Sequence, residues 1–217
     1  MSYFNAHTHT HSAHAIINAP LGFTQFDENC LYSIGIHPWD YMKYCENTEM
    51  LQHWLYSCVQ LPQVVAIGEC GIDHTIAVDV ELQEDLLTQH VKLAQQNSKA
   101  LIIHSVRAYN DVLRVFKRTD CRQPIVFHKF MGTMHVYESF KDFDCYYSFG
   151  NELLTRSQSV GVLQNLPLNA ILFENDDSEI AIDDIYTFAA QQLHISVEEL
   201  ATTVQQTAKK VFDTKFV

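Results

Sequence analysis

A chain of 217 residues, 47% of them hydrophobic, has the length of one large domain (1–217) and enough apolar material for a sizeable core. No uninterrupted run of ~18 apolar residues is present, and no basic segment followed by an apolar run opens the chain, so neither a membrane-spanning helix nor a secretory leader is expected and the cytoplasm is the predicted compartment. The net charge is −12, with neither Lys nor Arg between Arg156 and Lys209, which argues against a surface that tracks a phosphate backbone over a long footprint.

Short Val/Ile/Tyr-rich runs recur along the chain, each ending in a polar or metal-binding residue. In order they are Tyr3–His9, Ala15–Asn18, Cys30–His37, Val64–Glu69, Ala100–His104, Pro124–His128, Cys145–Gly150 and Ala170–Asp176. Near-continuous apolar strands of this kind suit a parallel sheet covered on both faces. Helical spacing of apolar residues predicts helices over 81–96, 109–117 and 183–193. Ser196-Val197-Glu198-Glu199 reads as a capping box that opens a last helix. Eight strands alternating with helices predict an α/β fold, a (β/α)8 TIM barrel. Its second βα unit is truncated, because no helical pattern lies between Asn18 and Cys30.

The six cysteines are scattered without a CxxC pair and read as reduced core residues, not as a disulfide frame. The unusual number is twelve histidines. His7 and His9 stand two apart in a strand, so they project from the same face. His37, Glu69, His104, His128 and Asp176 each fall at or just past the C-terminal end of a predicted strand. That end is where barrels carry their active sites. A single His at a strand end is ordinarily a satisfied polar residue, but this many at one end point to a shared centre. Four imidazoles and two carboxylates exceed what one zinc ion needs. They fit two divalent ions sharing a bridging carboxylate, with Glu69 in the central position to bridge and Asp176 able to take a proton from the attacking water. Imidazole-rich donor sets favour zinc or manganese as the bound ions. His11, His14, His53, His74, His90, His135 and His194 need no function on this reading, with His53, His90 and His194 expected at the surface or partly buried. Asp73 and Glu174 are expected behind the ligands, orienting them. Trp39 either lines the pocket, where an aromatic ring can stack on a base, or packs under a loop.

These residues resemble the TatD-type metal-dependent hydrolases of the amidohydrolase-like barrels. Asn5-Ala6-His7-Thr8-His9 is similar to that family's opening Asp-x-His-x-His, with Asn at the Asp position. Gly35-Ile36-His37-Pro38-Trp39, Ile67-Gly68-Glu69-Cys70-Gly71-Ile72-Asp73, Ile103-His104-Ser105, Phe127-His128 and Phe173-Glu174-Asn175-Asp176 match its later motifs, and Gln83 and Gln89 fall where its following helix carries Gln. The chain departs from the pattern in having Asp177-Ser178 after Asp176, Arg107 one residue late, Met131 at an often basic position and Thr207 for Asn. The resemblance implies that His7, His9 and Asp176 hold one metal and His104 and His128 the other, bridged by Glu69. It implies Asp176 as general base and His37 as a substrate contact, with Trp39, Arg107 and Lys129 as further candidate contacts. It also implies deoxyribonuclease chemistry, often 3′-to-5′ exonuclease, supported by magnesium or manganese. The expected substrate is single-stranded DNA or a small phosphodiester, with no membrane and no obligate protein partner. Two alternatives stay open: a binuclear hydrolase of a small ester, lactone or amide, and a non-catalytic metal-binding scaffold.

Overall fold

The computed structural model describes residues 3–213. Eight strands pair in parallel and in chain order: β1 (Asn5–Thr8), β2 (Ala15–Asn18), β3 (Leu31–Ile34), β4 (Val64–Asp73), β5 (Ala100–Val106), β6 (Ile125–Phe127), β7 (Cys145–Phe149) and β8 (Ile171–Phe173). The ring closes where β1 meets the end of β8. Thr8 and Asp176 form a parallel bridge, the Asp176 N–H donates to the His7 carbonyl at 3.1 Å, and the Asn5 amide donates to Asn175 Oδ1 at 2.7 Å. The predicted TIM barrel is the observed fold, and the closing seam runs through residues the sequence marked for chemistry.

The strands are buried on both sides, as their apolar runs require; all ten residues of β4 are buried. β4 and β5 approach closely because position 71 has no side chain: a Cβ on Gly71, whose φ is +153°, would collide with the His104 carbonyl oxygen. The helices α1 (Tyr41–Glu46), α2 (Thr48–Cys58), α3 (Val80–Asn97), α4 (Tyr109–Thr119), α5 (Met134–Ser139), α6 (Ser157–Leu163), α7 (Ile182–Leu193) and α8 (Val197–Phe212) fill the connections. The Asp79 carboxylate accepts from the Glu81 N–H to start α3, and the Ser196 hydroxyl accepts from the Glu199 N–H to start α8. Among the described residues no helix is long and apolar enough to cross a membrane.

The connection from β2 to β3 contains no helix. Phe23 and Phe26 pack edge-on with ring centroids 5.0 Å apart, both rings lie against Tyr32, and the Trp54 indole N–H of α2 donates to the Phe23 carbonyl at 2.6 Å. An aromatic cluster thus covers the flank that a helix covers elsewhere.

Two sequence expectations are corrected by burial. His90 is neither at the surface nor partly buried; it is 1% exposed. Its Nε2 accepts the Ile36 N–H at 3.0 Å, and its Nδ1 faces the Leu86 carbonyl at 2.8 Å. A histidine with a backbone partner for each nitrogen can sit in a helix core, which helical spacing alone does not reveal. Cys45 is exposed and Cys145 half-buried, whereas Cys30, Cys58, Cys70 and Cys121 are buried as expected; all six are free thiols.

Burial pushes the His90 pKa down to about 4 against a smaller upward pull from the Leu86 carbonyl. Between pH 6.5 and 4 the unfolded chain therefore takes up a proton that the folded chain refuses. The associated stability is complete above pH 6.5 and is lost as pH falls toward 4, to a total on the order of 3 kcal/mol. Urea denaturation of wild type and His90→Gln across this window should show the steeper loss in wild type; parallel curves would refute this role.

Candidate metal centre

Four strand ends converge on Glu69 within β4. Its Oε1 lies 2.8 Å from His104 Nδ1, 2.8 Å from His128 Nε2 and 3.2 Å from His37 Nε2. Its Oε2 lies 3.3 Å from His7 Nε2. The Glu69 N–H donates to Asn18 Oδ1 at 3.0 Å, so the polar end of β2 fixes the backbone that presents this carboxylate. Asp176 approaches the same nitrogen of His7: its Oδ1 is 3.5 Å from His7 Nε2 and 3.3 Å from His9 Nε2, and its Oδ2 accepts from Lys129 Nζ at 2.8 Å. His7 is fully buried, while the His9 side chain is 45% exposed and forms the mouth of the site.

The hydrogen bonds behind this layer define what the imidazoles offer. His128 Nδ1 faces Glu174 Oε1 at 3.0 Å, and His104 Nε2 faces Asp73 Oδ2 at 3.2 Å. A carboxylate behind one ring nitrogen holds its proton there, leaving the other nitrogen's lone pair aimed forward, the usual support of a metal-binding histidine. In both residues the forward nitrogen faces Glu69. A lone pair 2.8 Å from a carboxylate oxygen is repulsive unless a cation or proton lies between them. Asp73 and Glu174 thus stand behind two of the imidazoles that face Glu69.

His37 differs. Its Nδ1 accepts the Trp39 N–H at 3.1 Å, so its hydrogen sits on Nε2 and points at Glu69. In this tautomer His37 donates a hydrogen bond and offers no forward lone pair, which suits the substrate contact expected of it. The Trp39 indole N–H donates to Asp73 Oδ2 at 2.8 Å while its ring is 68% exposed. One carboxylate therefore orients both His104 and an open aromatic face.

The residues fit divalent ions on two observations. Fully buried His7 makes no well-aligned hydrogen bond at either ring nitrogen, and its Nε2 stands between two carboxylates, 3.3 Å from Glu69 and 3.5 Å from Asp176, a place for a cation or a proton. The electrostatics also place protons where cations belong. Burial lowers the His7 pKa and His128 lowers it further, yet Asp176 and Glu69 together lift it to about 9. His128 is likewise held well above the ordinary histidine value, burial being outweighed by Glu69 and Glu174. Burial would raise the carboxylate of Glu69, but the surrounding imidazoles, led by His128, hold it well below the usual range; His7 and His9 do the same for Asp176. Proximity groups the donors as His7–His9–Glu69, His7–His128–Asp176 and His37–Glu69–His104. These sets overlap, so distance alone does not draw the partition that the resemblance implies.

Lys129 is in contact with Asp176, whereas Arg107 is exposed at the end of β5 and lies outside this network of contacts. Arg107, Lys129 and Asp176 leave their strands with φ of 56°, 45° and 53°, the left-handed region that non-glycine residues seldom occupy. Two supporting residues were not foreseen as such. Asn18 could have been found as the polar residue ending the second apolar run. Gln83 is buried; its Oε1 accepts the Asp73 N–H at 2.8 Å and its Nε2 donates to the Asp73 and Val78 carbonyls at 3.1 and 2.9 Å. It locks the end of β4, a role its helical position did not disclose. His74, assigned no function, pairs with Asp111 at 2.8 Å on the adjoining rim.

A parallel eight-stranded barrel with buried imidazoles and carboxylates gathered at the C-terminal strand ends defines a barrel built around a candidate metal centre. Residues 7–213 match the family model described as TatD related DNase, and the chain belongs to that family. It is 32% identical over 160 residues to an uncharacterized metal-dependent hydrolase of Buchnera aphidicola (subsp. Baizongia pistaciae), covering 72% of this chain and 59% of that protein. It is 24% identical over 165 residues to the 3'-5' ssDNA/RNA exonuclease TatD of Edwardsiella piscicida, covering 74% and 62% respectively. The chain therefore spans about three fifths of the length of these relatives. The crystal structure of YjjV, a TatD homologue from Escherichia coli, superposes with a TM-score of 0.78 at 21% identity, covering 92% of this chain and 86% of that one, a likeness of fold.

Proposed function

We propose that this protein is a binuclear metal-dependent hydrolase of phosphodiesters, acting on the ends of single-stranded DNA or on small diesters. The observation that carries the reading is one buried carboxylate, Glu69, within 3.3 Å of four imidazoles, one of which, His7, also lies 3.5 Å from a second carboxylate, Asp176. His7, His9 and Asp176 would hold one divalent ion and His104 and His128 the other, with Glu69 shared. When bound, such ions polarise a phosphoryl oxygen and lower the pKa of water. Zinc or manganese suits the imidazoles, and magnesium or manganese would support turnover.

The chain's own groups supply the rest. Asp176 takes the proton of the attacking water on its carboxylate. The Lys129 ammonium, within reach of that carboxylate, offers charge to the developing phosphorane. His37 donates its Nε2 hydrogen to a non-bridging oxygen. Trp39 presents an open ring on which a terminal base can stack. The six free thiols fit a reducing cytoplasm. The acidic surface favours short substrates over long polyanions.

Purified protein should hydrolyse bis(4-nitrophenyl) phosphate and a 3′-labelled single-stranded oligonucleotide, and a chelator should abolish both activities. Turnover of the generic diester but not the oligonucleotide would move the substrate to small esters. Turnover of neither, with ions bound, would refute the hydrolase reading.

A further inference from the structure

His11, Asp27 and Cys30 form a second cluster of metal donors outside the barrel mouth. His11 lies in the connection from β1 to β2, and Asp27 and Cys30 end the helix-free connection from β2 to β3. His11 Nε2 is 3.2 Å from Cys30 Sγ and 3.7 Å from Asp27 Oδ2, and the three donor atoms all lie within 4.8 Å of one another. A tetrahedral ion with bonds of about 2.0–2.3 Å separates its donors by about 3.3–3.8 Å. The cluster is therefore already closed to nearly the edge lengths that such an ion requires.

The surroundings hold Asp27 in place. Asp27 Oδ1 accepts from the Asn29 N–H at 2.9 Å and the Asn29 amide at 3.1 Å, which turns Oδ2 toward His11. The Asp27 N–H donates to the Tyr32 hydroxyl at 3.2 Å, tying the turn to β3. Cys30 is 3% exposed at the back of the cluster, while the His11 and Asp27 side chains are 71% and 44% exposed at its front. An ion has an open approach, and water can complete its coordination.

We propose that His11, Asp27 and Cys30 bind a zinc-class ion that staples the β1–β2 connection to the β2–β3 connection, on the flank of the barrel that lacks a helix. Mixed sulfur, nitrogen and oxygen donors select zinc and its neighbours over magnesium or calcium. On binding, the thiol proton leaves to solvent and the thiolate becomes the ligand. The site is independent of the hydrolase reading, because it shares no residue with the barrel mouth.

Cobalt(II) separates the two centres, because the donors at the barrel mouth include no sulfur. Cys70 adjoins Glu69, but its thiol is fully buried and faces the Ile102 carbonyl at 3.8 Å. Wild-type protein titrated with cobalt should develop a sulfur-to-cobalt charge-transfer band in the near ultraviolet, displaced by zinc. Cys45→Ser, which removes the exposed thiol, should keep the band. Cys30→Ser should lose it. His11→Ala and Asp27→Asn alter exposed side chains and should weaken cobalt binding at least tenfold with the fold intact. No band at saturating cobalt, a band that survives Cys30→Ser, or unchanged cobalt affinity in His11→Ala would overturn the site.

Discussion

Asp176→Asn should lower turnover of a phosphodiester by roughly 10²- to 10⁴-fold, the usual contribution of a positioned general base. The amide has the shape of the carboxylate but cannot take a proton. Lys129 loses its charged partner, and His7 and His9 lose the anion between them. The backbone should hold, because the seam closes through main-chain contacts: Asp176 N–H to the His7 carbonyl, and His9 N–H to the Asp176 carbonyl at 3.3 Å. Circular dichroism should therefore match wild type while the rate collapses. Because Asp176 stays ionised well below the usual carboxylate range, its own protonation should produce no acid limb in the pH–rate profile above pH 5. Near-wild-type turnover would refute its role as base.

Glu69→Gln should have the largest effect on ion binding, weakening affinity more than ~100-fold, beyond what loss of an orienting partner costs. The side chain faces four imidazoles, and an amide provides neither the charge nor two equivalent oxygens for sharing. The chelated protein should also lose stability, by about 3 kcal/mol, because a buried ion cluster would be broken from one side. His7 would still have Asp176 and His128 would still have Glu174, so the protein should remain folded at neutral pH. Elemental analysis and urea denaturation measure the two effects. Two equivalents of metal bound with wild-type affinity would show that Glu69 is not the shared ligand.

The barrel was legible because each strand is a short apolar run ended by a polar residue, a pattern that a sheet buried on both faces imposes. The strands of the folded chain fall within or extend those runs; β4 continues to Asp73 because Gly71 lets it stay against β5. Helices with long apolar stripes, α3, α4, α7 and α8, were legible for the same reason. The short α1, α5 and α6 are not legible, since a helix of one or two turns shows too few periods to stand out; α2 is not legible either, although it is as long as α4. At the site, residue types at strand ends named the histidines and carboxylates now seen around Glu69. What the pattern could not show was connection through space. The position of His90 in a helix does not disclose its bond to the Ile36 N–H, nor does that of Gln83 disclose its hold on Asp73. His11 and Cys30 are nineteen residues apart and belong to different connections, so only the fold brings them together.

The three residues that leave their strands with left-handed backbone, Arg107, Lys129 and Asp176, mark a tension at the barrel rim. Each such conformation costs about 1–2 kcal/mol for a residue with a side chain. Glycine would adopt it freely but would carry neither the ammonium nor the carboxylate. At Lys129 and Asp176 a relaxed backbone and a charged side chain pull in opposite directions. Descendants of this chain that no longer need these charges should relax here early, well before their cores change.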